Sequence, residues 1–341
     1  MQMFLQIIGV LALGVVVVIV AIYLYIRISL GKYAKVDTEK DATPLLIHLN
    51  EDVIANWTKE KNAKALEDKL LDLGFEAGKA YSVVEMDGML LKAFFHTNYC
   101  AVLYKHDIAG VWVDMVANGV DGIEYTVSNA PMGGGMDTPS YAQKHLLLNL
   151  PLNTLFAKLV EITLDKPLDS FNSDNFREYF ELSYKREMKW RSKNGGISLE
   201  EFVRIAETEG KKFKESDILE AYRETKQKEL MRWHNAAILE YKQKENIPEN
   251  DCHDIMDFLF IVPIQTDAVA FIRYLEDVYF LSEEQADKFE DRYNDEEIEP
   301  QVLFQRINES FSTSLRAVKK GDSDYPIEIE IYEMPKKEYD W

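Results

Sequence analysis

Three stretches of the sequence hold side chains dense enough for site chemistry. The first is Met132–Pro139, M-G-G-G-M-D-T-P, where Gly133, Gly134 and Gly135 stand beside Asp137. A phosphate-cradling loop needs G-x-x-x-x-G-K-[ST], and a dinucleotide loop needs G-x-G-x-x-G between a strand and a helix. Neither spacing is present. The glycines read as a flexible connection between a strand and a helix, with ligand or partner contact as the functional role open to a loop. The second stretch is Cys252-His253-Asp254, followed by Asp257. Successive helical residues diverge by about 100°, so this triplet cannot converge on one ion. Asp251 or Asp254 reads better as a helix cap, and no metal site is assigned. The third set is Glu178, Glu181 and Glu187 with His234 and Glu240. A di-iron bundle requires Glu-x-x-His on two helices, which is absent, so these are read as solvated helix faces.

Nucleophilic chemistry would fall to His96, Cys100, His106 and His145. A Cys–His pair also needs an orienting third group and an oxyanion hole. Cys100 starts an apolar run, where cysteine behaves as a small hydrophobe. No catalytic residue and no cofactor is therefore assigned. The strand Val111–Val116 is more informative. Its alternation sends Val111, Val113 and Met115 to a core face and Trp112, Asp114 and Val116 to the opposite one. Trp is a common interface anchor, but also a residue highly buried on average. Two outcomes follow for Trp112 and Asp114. Either they form a ligand or partner surface with Gly133, Gly134, Gly135 and Asp137, or the helical region packs over them.

These residues must be positioned by elements, and the elements begin with an anchor. Residues 7–26, IIGVLALGVVVVIVAIYLYI, carry no charge. Such a run spans about 30 Å as a helix, the thickness of a bilayer's hydrocarbon core. The alternatives are a buried core helix and a cleaved signal peptide. The run is too long and too apolar for the first, and it lacks the basic start of the second. Arg27, Lys32 and Lys35 follow it, and the positive-inside rule places the rest of the chain in the cytoplasm. The sequence thus predicts a single-pass protein, bound to the lipid bilayer through residues 7–26. Thirty-nine basic against fifty-nine acidic residues give a net charge of −20, which repels phosphate backbones and argues against nucleic acid as a partner. Two distant cysteines exclude a disulfide framework and a four-cysteine zinc site.

Five segments are expected: an anchor with its flank (1–34), a linker (35–42), an α+β domain (43–166), a helical region (167–316) and a tail with one strand (317–341). In the α+β domain, Ala63, Leu66, Leu70 and Leu73 predict a helix ending at Gly74. Short β-rich runs separated by turns such as Asp87-Gly88 and Asp121-Gly122 predict an antiparallel meander of about five strands. Leu146–Leu164 returns to a helical period. In the helical region, Asp174 is an expected N-cap for Phe176–Lys189. Ser198 with Glu201, and Ser282 with Gln285, have capping-box spacing. Asp254–Phe260 reads as helical. The alternation Ile327–Ile331 predicts a strand that pairs with some other strand, the meander's edge being one candidate.

The stretches Gly110–Asp114, Asp121-Gly122 and Tyr125–Pro131 together resemble a module in uncharacterised bacterial membrane-anchored proteins. Phe176–Gly196 is similar to a segment that follows that module. The resemblance implies a bacterial source, hence an inner membrane, and no known activity, so it carries over no functional residues. Three functions remain in competition: a membrane-tethered cytoplasmic interaction or sensory module with a protein partner, an enzyme with a pocket in the α+β domain, and a structural component of an envelope complex.

Overall fold

The computed structural model describes residues 44–107, 109–131, 134–148, 150–208, 214–244, 257–294, 296–311, 316–321 and 329–333. The apolar run 7–26 and its flank Arg27, Lys32 and Lys35 lie outside them. Among the described residues no helix is long and apolar enough to cross a membrane.

The fold is α+β. Its centre is a seven-stranded sheet in sequential order: β1 (Leu49–Glu51), β2 (Glu76–Val83), β3 (Leu90–His96), β4 (Tyr99–His106), β5 (Gly110–Asn118), β6 (Glu124–Ser128) and β7 (Ala142–Leu146). Strands β1 to β6 pair antiparallel, as turn spacing predicts, whereas β7 runs parallel to β6. A parallel pair cannot be closed by a hairpin, so the loop 129–141 has to return the full length of the strand. This is why the glycine-rich stretch is long. Two strands of this sheet escaped the sequence pattern. Strand β1 is only three residues long, and β7 (Ala-Gln-Lys-His-Leu) has no alternation to read.

Both faces of the sheet are covered. On one, Phe94, Leu103, Val113, Met115 and Val127 meet helix α1 (Lys61–Asp72) through Ala63 and Leu70, and helix α2 (Leu152–Ile162) through Leu152, Leu155 and Leu159. Fully burying each Val, Leu, Met or Phe side chain contributes roughly 1.5–3 kcal/mol. On the other face, Leu91, Ala93, Cys100 and Val102 meet Phe171 and helix α3 (Phe176–Lys193), entered by Phe176. The residue at the N-cap of α3 is Asn175, not Asp174, whose backbone N–H instead bonds Asn172 Oδ1.

Helices α4 (Leu199–Thr208), α5 (Glu215–Lys244), α6 (Ala268–Asp277), α7 (Glu283–Tyr293) and α8 (Pro300–Glu309) follow. A separate core joins Leu230 and Trp233 of α5 to Phe271 and Leu275 of α6, Ala286 of α7 and Phe304 of α8. The Ser282–Gln285 capping box forms as expected.

Two expectations are corrected here. Residues Asp257–Ile261, read as helical, form strand β8, because a short apolar run before Pro263 fits either element by periodicity. The tail strand, β10 (Ile329–Glu333), does not reach the meander. It pairs between β8 and β9 (Arg316–Gly321) in a second sheet of order β8-β10-β9. A nearby apolar strand thus satisfies its backbone groups, and the meander edge is not needed.

Candidate functional site

Strand register decides which side chains meet on the α3 face. Tyr104 lies opposite Trp112, and Asp114 lies between Val102 and Ser128. Cross-strand partners share a face, so Tyr104, Trp112, Asp114 and Ser128 form one patch. The rings of Tyr104 and Trp112 stack at 5.0 Å with 10° between planes, and Phe180 of α3 lies 6.5 Å from Tyr104. Ser128 Oγ donates to Asp114 Oδ1 at 2.5 Å, and the Ala130 N–H donates to Ser128 Oγ at 2.9 Å. The Tyr104 hydroxyl also bonds the carboxylate. Tyr104, Trp112, Asp114 and Ser128 are all half-buried.

The electrostatics of the patch follow from this packing. Protein packed around the Asp114 carboxyl disfavours its charge more than Ser128, Lys144 and Tyr104 favour it, and it is pushed up to about 6. Burial likewise holds the Tyr104 phenol well above its ordinary value. Lys144 on β7 is the closest source of positive charge, but its ammonium is held by Glu187 of α3 at 2.7 and 2.8 Å. Cys100 is buried beneath the same face, and desolvation pushes its thiol up, so it stays protonated and unreactive.

A second carboxylate sits farther along the face. Glu124 accepts from Ser183 Oγ at 2.9 Å and pairs with Arg186 at 3.0 Å, both on α3. The Arg186 guanidinium lies 3.7 Å from the centroid of the Tyr141 ring. Asn118, opposite Glu124, is buried, and among the described residues neither of its amide atoms has a hydrogen-bond partner.

The glycine-rich loop is built for close approach to a helix. A Cβ on Gly134 would lie 2.6 Å from Thr208 Cγ2. Gly135, at φ +86°, would place one 3.0 Å from the Arg204 backbone. Ionic contacts complete the docking. Arg191 donates to Glu201 at 2.8 Å and to the Asp137 carbonyl at 3.1 Å. Glu201 also accepts from the Asp137 N–H at 2.9 Å, and Arg204 pairs with the Asp137 carboxylate. The Ser198–Glu201 capping box is therefore only half made. Glu201 N–H bonds Ser198 Oγ, while its carboxylate is taken by Arg191 and the loop.

Of the residues singled out from sequence, Trp112 and Asp114 share the patch. Gly134, Gly135 and Asp137 are docked on α4, and the loop's start is linked to Asp114 through Ser128 and Ala130. Gly133, Cys252, His253 and Asp254 lie outside the described residues. Glu181 accepts from the Leu49 N–H and from Arg177, and His234 bonds the Tyr274 hydroxyl. Among the described residues no group of three or more His, Cys, Asp or Glu is placed to hold a metal ion. Sequence reasoning missed Tyr104, Ser128 and Lys144. The first two follow from pairing the hairpins residue by residue, whereas Lys144 depends on a parallel strand that left no pattern.

These features define an α+β protein with helices on both faces of a mostly antiparallel sheet and an aromatic–carboxylate patch on one of them. No family model matches the chain, and comparison with curated proteins and with solved structures yields no match either.

Proposed function

We propose that the chain is a membrane-tethered interaction or sensory module, with its folded part in the cytoplasm and its working surface at the Trp112–Asp114 patch. The tether is residues 7–26, oriented by Arg27, Lys32 and Lys35. One observation carries the reading of the surface: a half-buried Trp stacked on a Tyr, beside a carboxylate pushed up to about 6. Aromatic residues with one face free are common anchors of recognition, and perturbed carboxyls concentrate at functional sites. The same carboxyl supports a second reading, an enzyme with Asp114 as general acid or base, because its proton is exchangeable near neutral pH.

Capture from the native host in mild detergent tests the first reading. The wild-type chain is compared with Asp114→Asn and Trp112→Leu. A species retained by wild type and lost by both variants, while both melt normally, supports the patch as the working surface. Identical captured sets in all three overturn it. A reporter active only outside the cytoplasm, fused at Trp341, tests the orientation, and strong activity would reverse it.

A further inference from the structure

We propose that the Asp114 patch takes a small organic cation, an alkylammonium group seated between the Asp114 carboxylate and the indole of Trp112; this rests on the patch being the working surface. The strand sets the geometry. Trp112 and Asp114 are two residues apart on one face of β5, so their side chains stand about 7 Å apart along the strand. An ammonium at hydrogen-bond distance from the carboxylate would lie within about 6 Å of the ring, the reach of a cation–π contact. Stacking on Tyr104 occupies one face of the indole, and Trp112 remains half-buried rather than sealed. Trp is the strongest cation–π partner among the aromatic side chains.

The two carboxylates on this face make the assignment selective. Glu124 already has its cation, Arg186, at 3.0 Å. Asp114 has hydroxyl donors from Ser128 and Tyr104, but among the described residues no cationic side chain lies within ion-pair distance of it. Lys144 is held by Glu187. An ammonium supplies what the patch lacks: a charge for the carboxylate and a cation for the ring. An anion would meet the carboxylate directly, and the net charge of −20 raises the local concentration of cations rather than anions. The titratable groups around Asp114 are Tyr104 and Cys100 on β4, Lys144 on β7 and Glu187 on α3. Tyr104 and Cys100 stay protonated, and Lys144 and Glu187 pair with each other. A proton on Asp114 therefore competes with the ligand.

The test is calorimetric titration of the full chain, in nanodiscs of zwitterionic lipid, with tetramethylammonium and with butylammonium. Sodium at the same ionic strength is the control for the acidic surface. Saturable binding of either organic cation is expected. Asp114→Asn and Trp112→Leu should each weaken it by about tenfold, a 1.4 kcal/mol effect. Glu187→Gln should also weaken it, by freeing Lys144 to occupy the carboxylate. Binding should fall as pH drops through about 6. Absence of saturable heat with both cations, or undiminished binding by Asp114→Asn in a protein with a normal melt, overturns the proposal. If the captured species of the preceding section still depends on Trp112 and Asp114 while neither cation binds, the ligand chemistry alone is wrong. If neither experiment depends on them, both readings fail.

Discussion

The two faces of the sheet are made by the same strands and are held in opposite ways. Against α1 and α2, strand β5 contributes Val113, Met115 and Ala117, all fully buried and apolar. Against α3 it contributes Trp112, Asp114, Val116 and Asn118, and the neighbouring strands add Tyr104, Glu124, Ser128 and Lys144. The first face is joined mainly by apolar area, with one ion pair across it, Lys92 of β3 with Glu67 of α1 at 3.0 Å. The second is joined by specific ionic and hydroxyl contacts, such as Glu124 with Arg186 and Lys144 with Glu187. Hydrophobic burial is non-directional and tolerant, whereas a half-buried polar face stabilises only when each group finds its partner. The proposed working surface rests on this difference: the first face is mainly core, while the second carries more polar groups than a core needs.

That contrast can be broken by substitution. Residues 41–341 are the natural material for unfolding measurements, since the compact unit begins at Pro44. The largest loss is expected on the α3 side. Arg191→Ala leaves Glu201, 1% exposed, without its cation, and should cost about 3–5 kcal/mol in denaturant unfolding. Leu155→Ala on the apolar face should cost about 3 kcal/mol through the cavity it opens, with no change in any binding assay.

Asp114→Asn should act in the opposite direction. The native carboxyl holds its proton to about pH 6, and the unfolded one to near 3.8. Wild-type stability from this group is therefore highest below about pH 4 and falls as pH rises towards 6, because the folded state binds the extra proton. The Asn variant should lack that slope and be more stable at neutral pH by about 1–2 kcal/mol, solvent contact at Asp114 reducing the full conversion. Melting curves of both proteins across this pH range check it, and parallel pH profiles would refute it. The smallest effect should come from Trp112→Leu. A half-buried ring should cost about 1 kcal/mol of stability. A loss several times larger would mean that the ring is ordinary core.

How much of this was legible depended on the kind of signal. Alternation in Val111–Val116 and the turns at Asp87-Gly88 and Asp121-Gly122 gave the meander, since hairpins are local and the period of two is strict. The same alternation separated Trp112 and Asp114 from Val113 and Met115. Strand β7 was not readable, because a parallel partner is set by a long crossover and leaves no local mark. The cluster around Asp137 was not readable either. Arg191, Glu201 and Arg204 lie on helices far along the chain, and nothing in their spacing points to a glycine loop. Glu201 shows the limit directly: its spacing from Ser198 specifies a cap, but a buried arginine competed for the same carboxylate.

The parallel pairing of β6 and β7 bears on the order in which the chain can fold as it is synthesised. Strands β2 to β6 meet through short turns, so each can be added soon after its predecessor emerges. The loop 129–141 is tied locally at its ends, Asn129 to Val113 and Tyr141 to Glu124, but its stretch Gly135–Asp137 docks on α4. That stretch is held by Glu201, 64 residues beyond Asp137, together with Arg191 and Arg204. Until α4 has left the ribosome, β7 lacks the contacts that hold its connection in place, and the edge of β6 waits unpaired. A ribosome stalled before residue 199 should therefore display a folded meander with an open edge, the interval in which a chaperone has most to protect.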